Sequence, residues 1–199
     1  KEVNAEARWL TVDEFESLLK AAKAARPHTR NYLPEFCILG FNTLMRPGEM
    51  LELEWSRVDF DNKVVRLEVE HTKGKARRLV PLNDVACAAL VRLRRICDDH
   101  FVDTPYIFTH TSPRLLGKRV GSVAKVFQTA VKRAGIAHAT PHALRHTGIT
   151  EGVHAPDANV VDISKIAGHK DLRTTMGYVH TSTQRLHDAV AKLPNVSNS

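Results

Sequence analysis

Apolar residues recur at helical spacing over most of the chain. Thr11 and Glu14 form a capping box, and the apolar residues Phe15 and Leu18 behind it predict a first helix, which Pro27 ends. The same spacing predicts further helices over residues 31–45, from the turn at 46–48 to 53, from 83 or 84 to about 93, and over about 118–134, 141–153, 157–167 and 182–192.

A different pattern occupies residues 64–70, where Val65, Leu67 and Val69 alternate with charged side chains, as in a half-buried strand. A turn containing Gly74 leads to a second apolar strand over residues 79–82, so the two strands form a hairpin. Residues 106–108 predict a further brief strand. The expected fold class is therefore mostly α with a small antiparallel β-sheet (α+β).

Composition limits the class of protein. The chain has 199 residues, of which 43% are hydrophobic and 26% charged, which is enough to bury the core of one domain. A membrane-spanning helix needs about 20 apolar residues, and the longest uncharged apolar stretch, residues 36–45, is much shorter. The three cysteines form no CxxC pair, which favours a reducing cytoplasm over a disulfide framework.

Charge is distributed unevenly. The formal net charge is +7, and residues 104–150 contain seven Lys or Arg and no Asp or Glu, so this stretch accounts for the whole excess. The rest of the chain is balanced. Such a polarity predicts a polyanionic partner.

Two basic features precede this stretch. Arg46 stands at a helix-to-turn junction with Glu49 three residues later, a spacing that also fits an ordinary surface ion pair. The predicted hairpin tip crowds four basic residues without a neighbouring acid, which also fits a solvated charged turn: Lys73, Lys75, Arg77 and Arg78.

Another feature is a helix start at Pro141, which places His142 and Arg145 on one face where both can reach a small anion. His142 and His146 also have the i, i+4 spacing of a zinc helix. Ala143 stands where the metalloprotease motif requires Glu, so that motif is absent and no metal is expected. We assign His146 to the core.

His169 follows Gly168, and Tyr178 comes nine residues later. A lone Tyr between apolar residues usually belongs to a core. The order Arg, hairpin Lys, His-x-x-Arg, Gly-His and Tyr, however, resembles the tyrosine recombinase (phage integrase) family over residues 9–192. Leu44 and Ala167 depart from the family, which usually has Gly and Leu there, and neither change removes a reactive group.

The resemblance implies a tyrosine-recombinase catalytic-domain fold and a set of roles. Tyr178 would be the nucleophile that forms a 3′-phosphotyrosyl intermediate, and Arg46 and Arg145 would clamp the phosphate oxygens. His142 would be the acid/base partner of the Tyr hydroxyl, and His169 would donate a hydrogen bond to the phosphate. Lys73 would protonate the leaving oxygen, with Lys75 as its rival, and Glu49 would buttress Arg46 or a His.

It also implies the biological setting. The expected function is phage or prophage integrase-like recombination through a Holliday junction, by a homotetramer on double-stranded DNA attachment sites that is a monomer without DNA. No cofactor, no metal and no membrane are expected, accessory DNA-bending proteins are possible partners, and the location is the bacterial cytoplasm. Candidate contacts to flanking DNA are Lys75, Arg77, Arg114, Lys118, Arg119 and Lys125.

The expected organisation is a linker at 1–10 from a missing N-terminal core-binding domain, a catalytic domain at 11–193 and a disordered tail at 194–199. The helix at 182–192 would pack either on its own domain or on a neighbouring protomer. Two other classes of function remain open, a non-catalytic DNA-binding module and a helical interaction protein. A DNA-binding module has no need of the Tyr, which favours the enzyme.

Overall fold

The computed structural model of the chain describes residues 8–68, 77–100 and 102–179. Its regular elements are α1 (Val12–Lys23), α2 (Pro27–Arg30), α3 (Leu33–Thr43), α4 (Pro47–Leu51), β1 (Val58–Asp59), β2 (Val64–Leu67), β3 (Arg78–Pro81), α5 (Asp84–Asp99), α6 (Ala124–Arg133), α7 (Pro141–His154), α8 (Val160–Ala167) and α9 (Leu172–Met176). The three strands form one antiparallel sheet in the order β1-β2-β3. The predicted fold class is confirmed.

The apolar helix α3 lies at the centre of the core. Its side chains Leu33, Phe36 and Leu39 are fully buried, and the ring of Phe36 meets that of Phe108 edge-on at 5.5 Å. Contacts with α1, α5 and α7 surround α3. Because α3 is covered on several sides, its apolar residues extend around the helix instead of forming a single stripe.

Two glycines let α3 and α7 approach closely. A Cβ built on Gly148 would lie 2.6 Å from Cδ2 of Leu44 and closer still to the carbonyl oxygen of Phe41. A Cβ on Gly40 would lie 3.1 Å from Leu144. The absence of these side chains therefore sets the distance between the end of α3 and the middle of α7, where the candidate site residues lie.

Several predicted boundaries hold and others change. Thr11 caps α1 with both capping-box hydrogen bonds, and Asn83 caps α5. Pro27 does not end α1, which stops at Lys23; it is the first residue of α2, a position that tolerates proline. The short elements β1 and α9 were not predicted, because two and five residues carry too little periodicity.

The helix predicted over residues 118–134 begins only at Ala124. The preceding residues run beside residues 108–110 instead, with the Val120 amide donating to the Phe108 carbonyl at 2.8 Å. The brief strand predicted at 106–108 is reduced to an isolated bridge between Glu54 and Tyr106. The hairpin tip at 69–76 and the helix predicted at 182–192 lie outside the described residues, within which no helix is long and apolar enough to cross a membrane.

Candidate active site

Arg46 is held at the junction between α3 and α4. Its backbone N–H donates to Glu49 Oε2 at 2.8 Å, and its guanidinium donates to Glu49 Oε1 at 3.0 Å and to the Gly168 carbonyl at 3.3 Å. The turn before it places Leu44 at φ 55°, in the left-handed region that favours glycine. Leu44 thus adopts this conformation although it carries a side chain, and that side chain is buried.

A second arginine, Arg78 on β3, binds the carboxylate of Glu49. Its two terminal nitrogens donate to Glu49 at 3.0 and 2.7 Å, and its Nε donates to the Ile166 carbonyl at 3.1 Å. Burial alone would raise the pKa of Glu49, but hydrogen bonds from Arg78 and Arg46 outweigh it and hold that pKa below its ordinary value. Glu49 is therefore an ionised brace between two arginines.

Arg145 on α7 completes a group of three guanidinium side chains. It is only 5% exposed, and its Nη1 donates to the Leu44 carbonyl, which the left-handed turn directs towards it. Burial and the neighbouring Arg46 lower the pKa of Arg145 to about 10, so it stays charged at neutral pH. Three cations with a single buried carboxylate between them form a site that favours an anion.

His169 follows the left-handed cap of α8 at Gly168, whose φ is 68°. Its Nδ1 lies 2.7 Å from Oγ1 of Thr175, a fully buried residue of α9. Burial, followed by the charges of Arg145 and Arg46, lowers the pKa of His169 to about 4. The imidazole is therefore neutral near pH 7.

Tyr178 is half-buried between two histidine rings. Its hydroxyl contacts Nδ1 of His146, the centroids of these two rings are 5.7 Å apart, and its ring also stacks on His169 at 6.5 Å. Burial raises the pKa of Tyr178 above its ordinary value, and Arg145 opposes the rise. Folding thus brings a phenol beside the arginine group from a separate part of the chain.

The family model for the phage integrase family matches residues 8–185. The chain belongs to the phage integrase family. Tyrosine recombinase XerC of Corynebacterium glutamicum is 31% identical over 173 residues, which cover 85% of this chain and 54% of that protein. Tyrosine recombinase XerD of Rhizobium meliloti is 30% identical over 156 residues, covering 75% and 47%. The chain therefore spans about half the length of these curated relatives.

Solved structures place the chain in the same integrase fold. A crystal structure of XerA recombinase superposes with a TM-score of 0.71 at 26% identity, covering 93% of this chain and 64% of that one. The catalytic domain of bacteriophage HP1 integrase gives a TM-score of 0.65 at 23% identity, covering 96% and 97%. This second likeness covers nearly the whole of both chains and shows the fold.

The structure gathers most of the predicted integrase residues. Arg46, Glu49, Arg145, His169 and Tyr178 lie in one cluster, whereas His142 is exposed at the start of α7. The lysines assigned to proton transfer, Lys73 and Lys75, lie outside the described residues. Within the described residues, no three His, Cys, Asp or Glu side chains are placed to hold a metal ion.

The candidate DNA contacts that the structure describes lie on the surface and remain predictions. Arg114, Lys118 and Lys125 are exposed, and Arg119 lies 3.7 Å from Glu52 with its guanidinium over the Tyr106 ring. Two of the basic residues at the predicted hairpin tip have acidic partners that the sequence pattern does not show. Arg77 lies 2.7 Å from Glu68, and Arg78 is bound to Glu49, because acids distant in sequence reach them on folding.

The sequence interpretation missed three residues of the site. The sequence pattern places Arg78 only among the basic residues of the predicted hairpin tip and His146 in the core, and it does not single out Thr175. The i, i+4 spacing of His142 and His146 was a usable signal, since it places both rings on one face of α7. No signal distinguished Thr175 from the adjacent Thr174.

Proposed function

We propose that this chain is the catalytic domain of a site-specific DNA recombinase that cleaves and rejoins strands through Tyr178. The observation that carries the proposal is the Tyr178 phenol stacked between His146 and His169, next to the turn where Arg46 donates to the Gly168 carbonyl. Membership of the phage integrase family supports it. A Tyr in an anion site serves phosphoryl transfer, whereas a module that only binds DNA requires the cations alone.

The arginines suit the charge that develops during the reaction. Attack on a phosphodiester builds negative charge on the non-bridging oxygens, and Arg46 and Arg145 supply preorganised donors for these oxygens. In the neutral tautomer of His169 whose Nδ1 accepts from the Thr175 hydroxyl, the ring proton is on Nε2 and can be donated to a phosphate oxygen. Glu49 keeps Arg46 oriented without lying between the arginines and solvent, because it is only 4% exposed.

Covalent chemistry then needs no cofactor. The Tyr178 oxygen forms a bond to phosphorus as the 5′ oxygen leaves, and the phosphotyrosyl link conserves the energy of the broken bond. We assign protonation of the leaving oxygen to Lys73, with Lys75 as the alternative. The acid/base role that the family resemblance gives His142 falls on a residue at the exposed start of α7.

The wider setting is proposed by likeness. XerH, a site-specific recombinase that shares the fold at a TM-score of 0.72, is bound to its difH DNA substrate. We propose a homotetramer on double-stranded attachment sites, exchange through a Holliday junction, and accessory DNA-bending proteins. The three free cysteines, Cys37, Cys87 and Cys97, suit a bacterial cytoplasm.

The test is covalent capture on DNA. The full chain is incubated at low salt with a pool of nicked duplexes with randomised sites, on which cleavage releases a short fragment and traps the enzyme. Low salt is required because the affinity rests on phosphate contacts. We expect the wild-type chain to form an adduct whose DNA reveals the preferred site, and Tyr178→Phe to form none.

Tyr106→Phe is the matched control. It removes the same hydroxyl group from a Tyr that also lies beside an arginine, Arg119, but that is distant in sequence from Tyr178. It should form the adduct at the wild-type rate. DNA binding without any adduct from the wild-type chain would favour the non-catalytic DNA-binding module and overturn the enzyme.

A further inference from the structure

We infer that His146 is a catalytic residue that accepts the proton of the Tyr178 hydroxyl when the phenol attacks DNA. The inference rests on the proposed function and assigns a role to a residue that the sequence pattern places in the core. Its basis is the contact between His146 Nδ1 and the Tyr178 hydroxyl oxygen. This contact joins two residues that are 32 positions apart in sequence.

The surrounding structure holds the two rings together. Ile149 and Val153, on the turns of α7 that follow His146, form a small apolar cluster on which Tyr178 packs. The imidazole and phenol rings are inclined by 25°, close to parallel. The helix that carries the proposed base therefore also carries the surface that seats the nucleophile, so the donor–acceptor pair is formed before DNA arrives.

The protonation states suit this direction of transfer. Burial, Arg145 and His142 lower the pKa of His146, and burial raises that of Tyr178. The phenol is then the donor and the neutral Nδ1 the acceptor, which leaves the proton of the imidazole on Nε2. The charged or titratable groups around His146 are Arg145 and His142 on α7, His169 after α8 and Tyr178 after α9.

DNA changes this balance in favour of transfer. After burial, Arg145 is the largest cause that disfavours an imidazolium at His146, and a phosphate bound by Arg145 brings negative charge next to it. Binding of substrate thus makes His146 a stronger base at the moment the phenol is needed. Without DNA, the same arrangement keeps Tyr178 protonated.

In the cleavage step, each bond that forms is matched by one that breaks. The Tyr178 O–H bond breaks and its proton moves to His146 Nδ1, while the phenolic oxygen forms a bond to phosphorus. The P–O5′ bond breaks, and the leaving oxygen takes a proton from the proposed acid Lys73. In the rejoining reaction the 5′ hydroxyl returns its proton to the lysine, and His146 returns its proton to the phenolic oxygen.

The resemblance to the family assigns the acid/base role at the Tyr178 hydroxyl to His142, whereas the contact in this structure assigns it to His146. His142 is exposed and lies one helical turn before His146, at the N-terminal end of α7. The two histidines therefore lie on the same face of α7, one turn apart. His146 touches the nucleophile, whereas His142 lies exposed at the start of the helix.

The test measures adduct formation by the full chain on a nicked duplex of the sequence recovered by covalent capture. His146→Phe keeps an aromatic ring but removes the acceptor nitrogen. We expect adduct formation to fall by about 100- to 10,000-fold, the range for loss of a general base, with DNA affinity within about twofold of wild type. In the wild-type chain the rate should fall at low pH, because protonation removes the neutral base. This fall should be absent from the pH–rate profile of His146→Phe.

Leaving-group chemistry separates the base from the acid. A duplex in which sulfur replaces the bridging 5′ oxygen needs no proton on its leaving group, so it should restore Lys73→Ala but leave His146→Phe slow. Free imidazole should restore His146→Ala in proportion to the neutral imidazole present. If His146→Phe unfolds at a lower temperature than the wild-type chain, His146→Gln and the imidazole experiment test the same loss of the proton acceptor.

Three results would overturn the inference alone: adduct formation by His146→Phe within threefold of wild type, full restoration of that variant by the sulfur substrate, or no response of His146→Ala to imidazole. A wild-type chain that forms no adduct fails at an earlier step. That outcome refutes the proposed function and, with it, the role of His146.

Discussion

Replacing Glu49 by glutamine tests whether the buried carboxylate holds the arginine group together. The substitution keeps the shape of the side chain and an oxygen that can accept from the Arg46 backbone, as in a glutamine capping box. It removes the only charge that Arg46 and Arg78 contact in this cluster among the described residues, and it turns an amide donor towards guanidinium donors.

The magnitude follows from burial. The side chains of Glu49 and Arg78 are 3% and 10% exposed, so their pair has little solvent screening, while that of Arg46 is 26% exposed and contributes less. Breaking a buried ion pair costs about 3–5 kcal/mol. We take the lower end, about 3 kcal/mol, because Gln retains one hydrogen bond, and this lowers Tm by about 6–12 °C for a domain of this size.

The assay is thermal and urea unfolding of wild type and Glu49→Gln, with Glu52→Gln as the matched control. Glu52 makes the same kind of pair with Arg119, but at 3.7 Å and with half of its side chain exposed, so its replacement should cost less than about 0.5 kcal/mol. Inorganic phosphate should raise the Tm of Glu49→Gln more than that of wild type, since an anion then replaces the lost charge. Equal stability of the two variants would refute the brace.

The pH dependence carries a definite sign. The pKa of Glu49 is lowered on folding, so its contribution is complete above the unfolded pKa of about 4.3 and is lost as pH falls through the lower folded value. His169 acts in the same direction. Its folded pKa of about 4 lies below its ordinary 6.5, so the unfolded chain gains a proton first and stability declines from pH 6.5 towards 4. In Glu49→Gln, the pH dependence of stability that comes from Glu49 should be lost, and the one that comes from His169 should remain.

Two further variants probe the packing around the site. Gly148→Ala should lower the free energy of unfolding by about 2–3 kcal/mol despite a better helix propensity, because the new Cβ meets α3; calorimetry against Gly121→Ala, where a Cβ meets nothing within 4 Å, checks this. Thr175→Val should slow adduct formation about tenfold, a loss of about one hydrogen bond, by freeing Nδ1 of His169 at little cost in stability. Wild-type rates in Thr175→Val, or an equal loss in the exposed control Thr174→Val, would count against that role.

The sequence by itself determined the local features of this protein and its family. Thr11 with Glu14 specifies the start of α1, and Pro141 the start of α7, because each acts through backbone groups within a few residues. The alternation of residues 64–70 predicts β2 and its pairing with β3. The order of reactive residue types was enough for membership of the phage integrase family, which is confirmed.

The tertiary structure decided which side chains meet. Arg78 reaches Glu49 across 29 positions, and the left-handed turn at Leu44 aims a carbonyl at Arg145 across 101 positions. His142 and His146 have nearly equivalent places in the sequence pattern, yet His146 meets Tyr178. The physical reason is that periodicity fixes a face of α7 but not its rotation and depth against α3, which close packing at Gly148 sets.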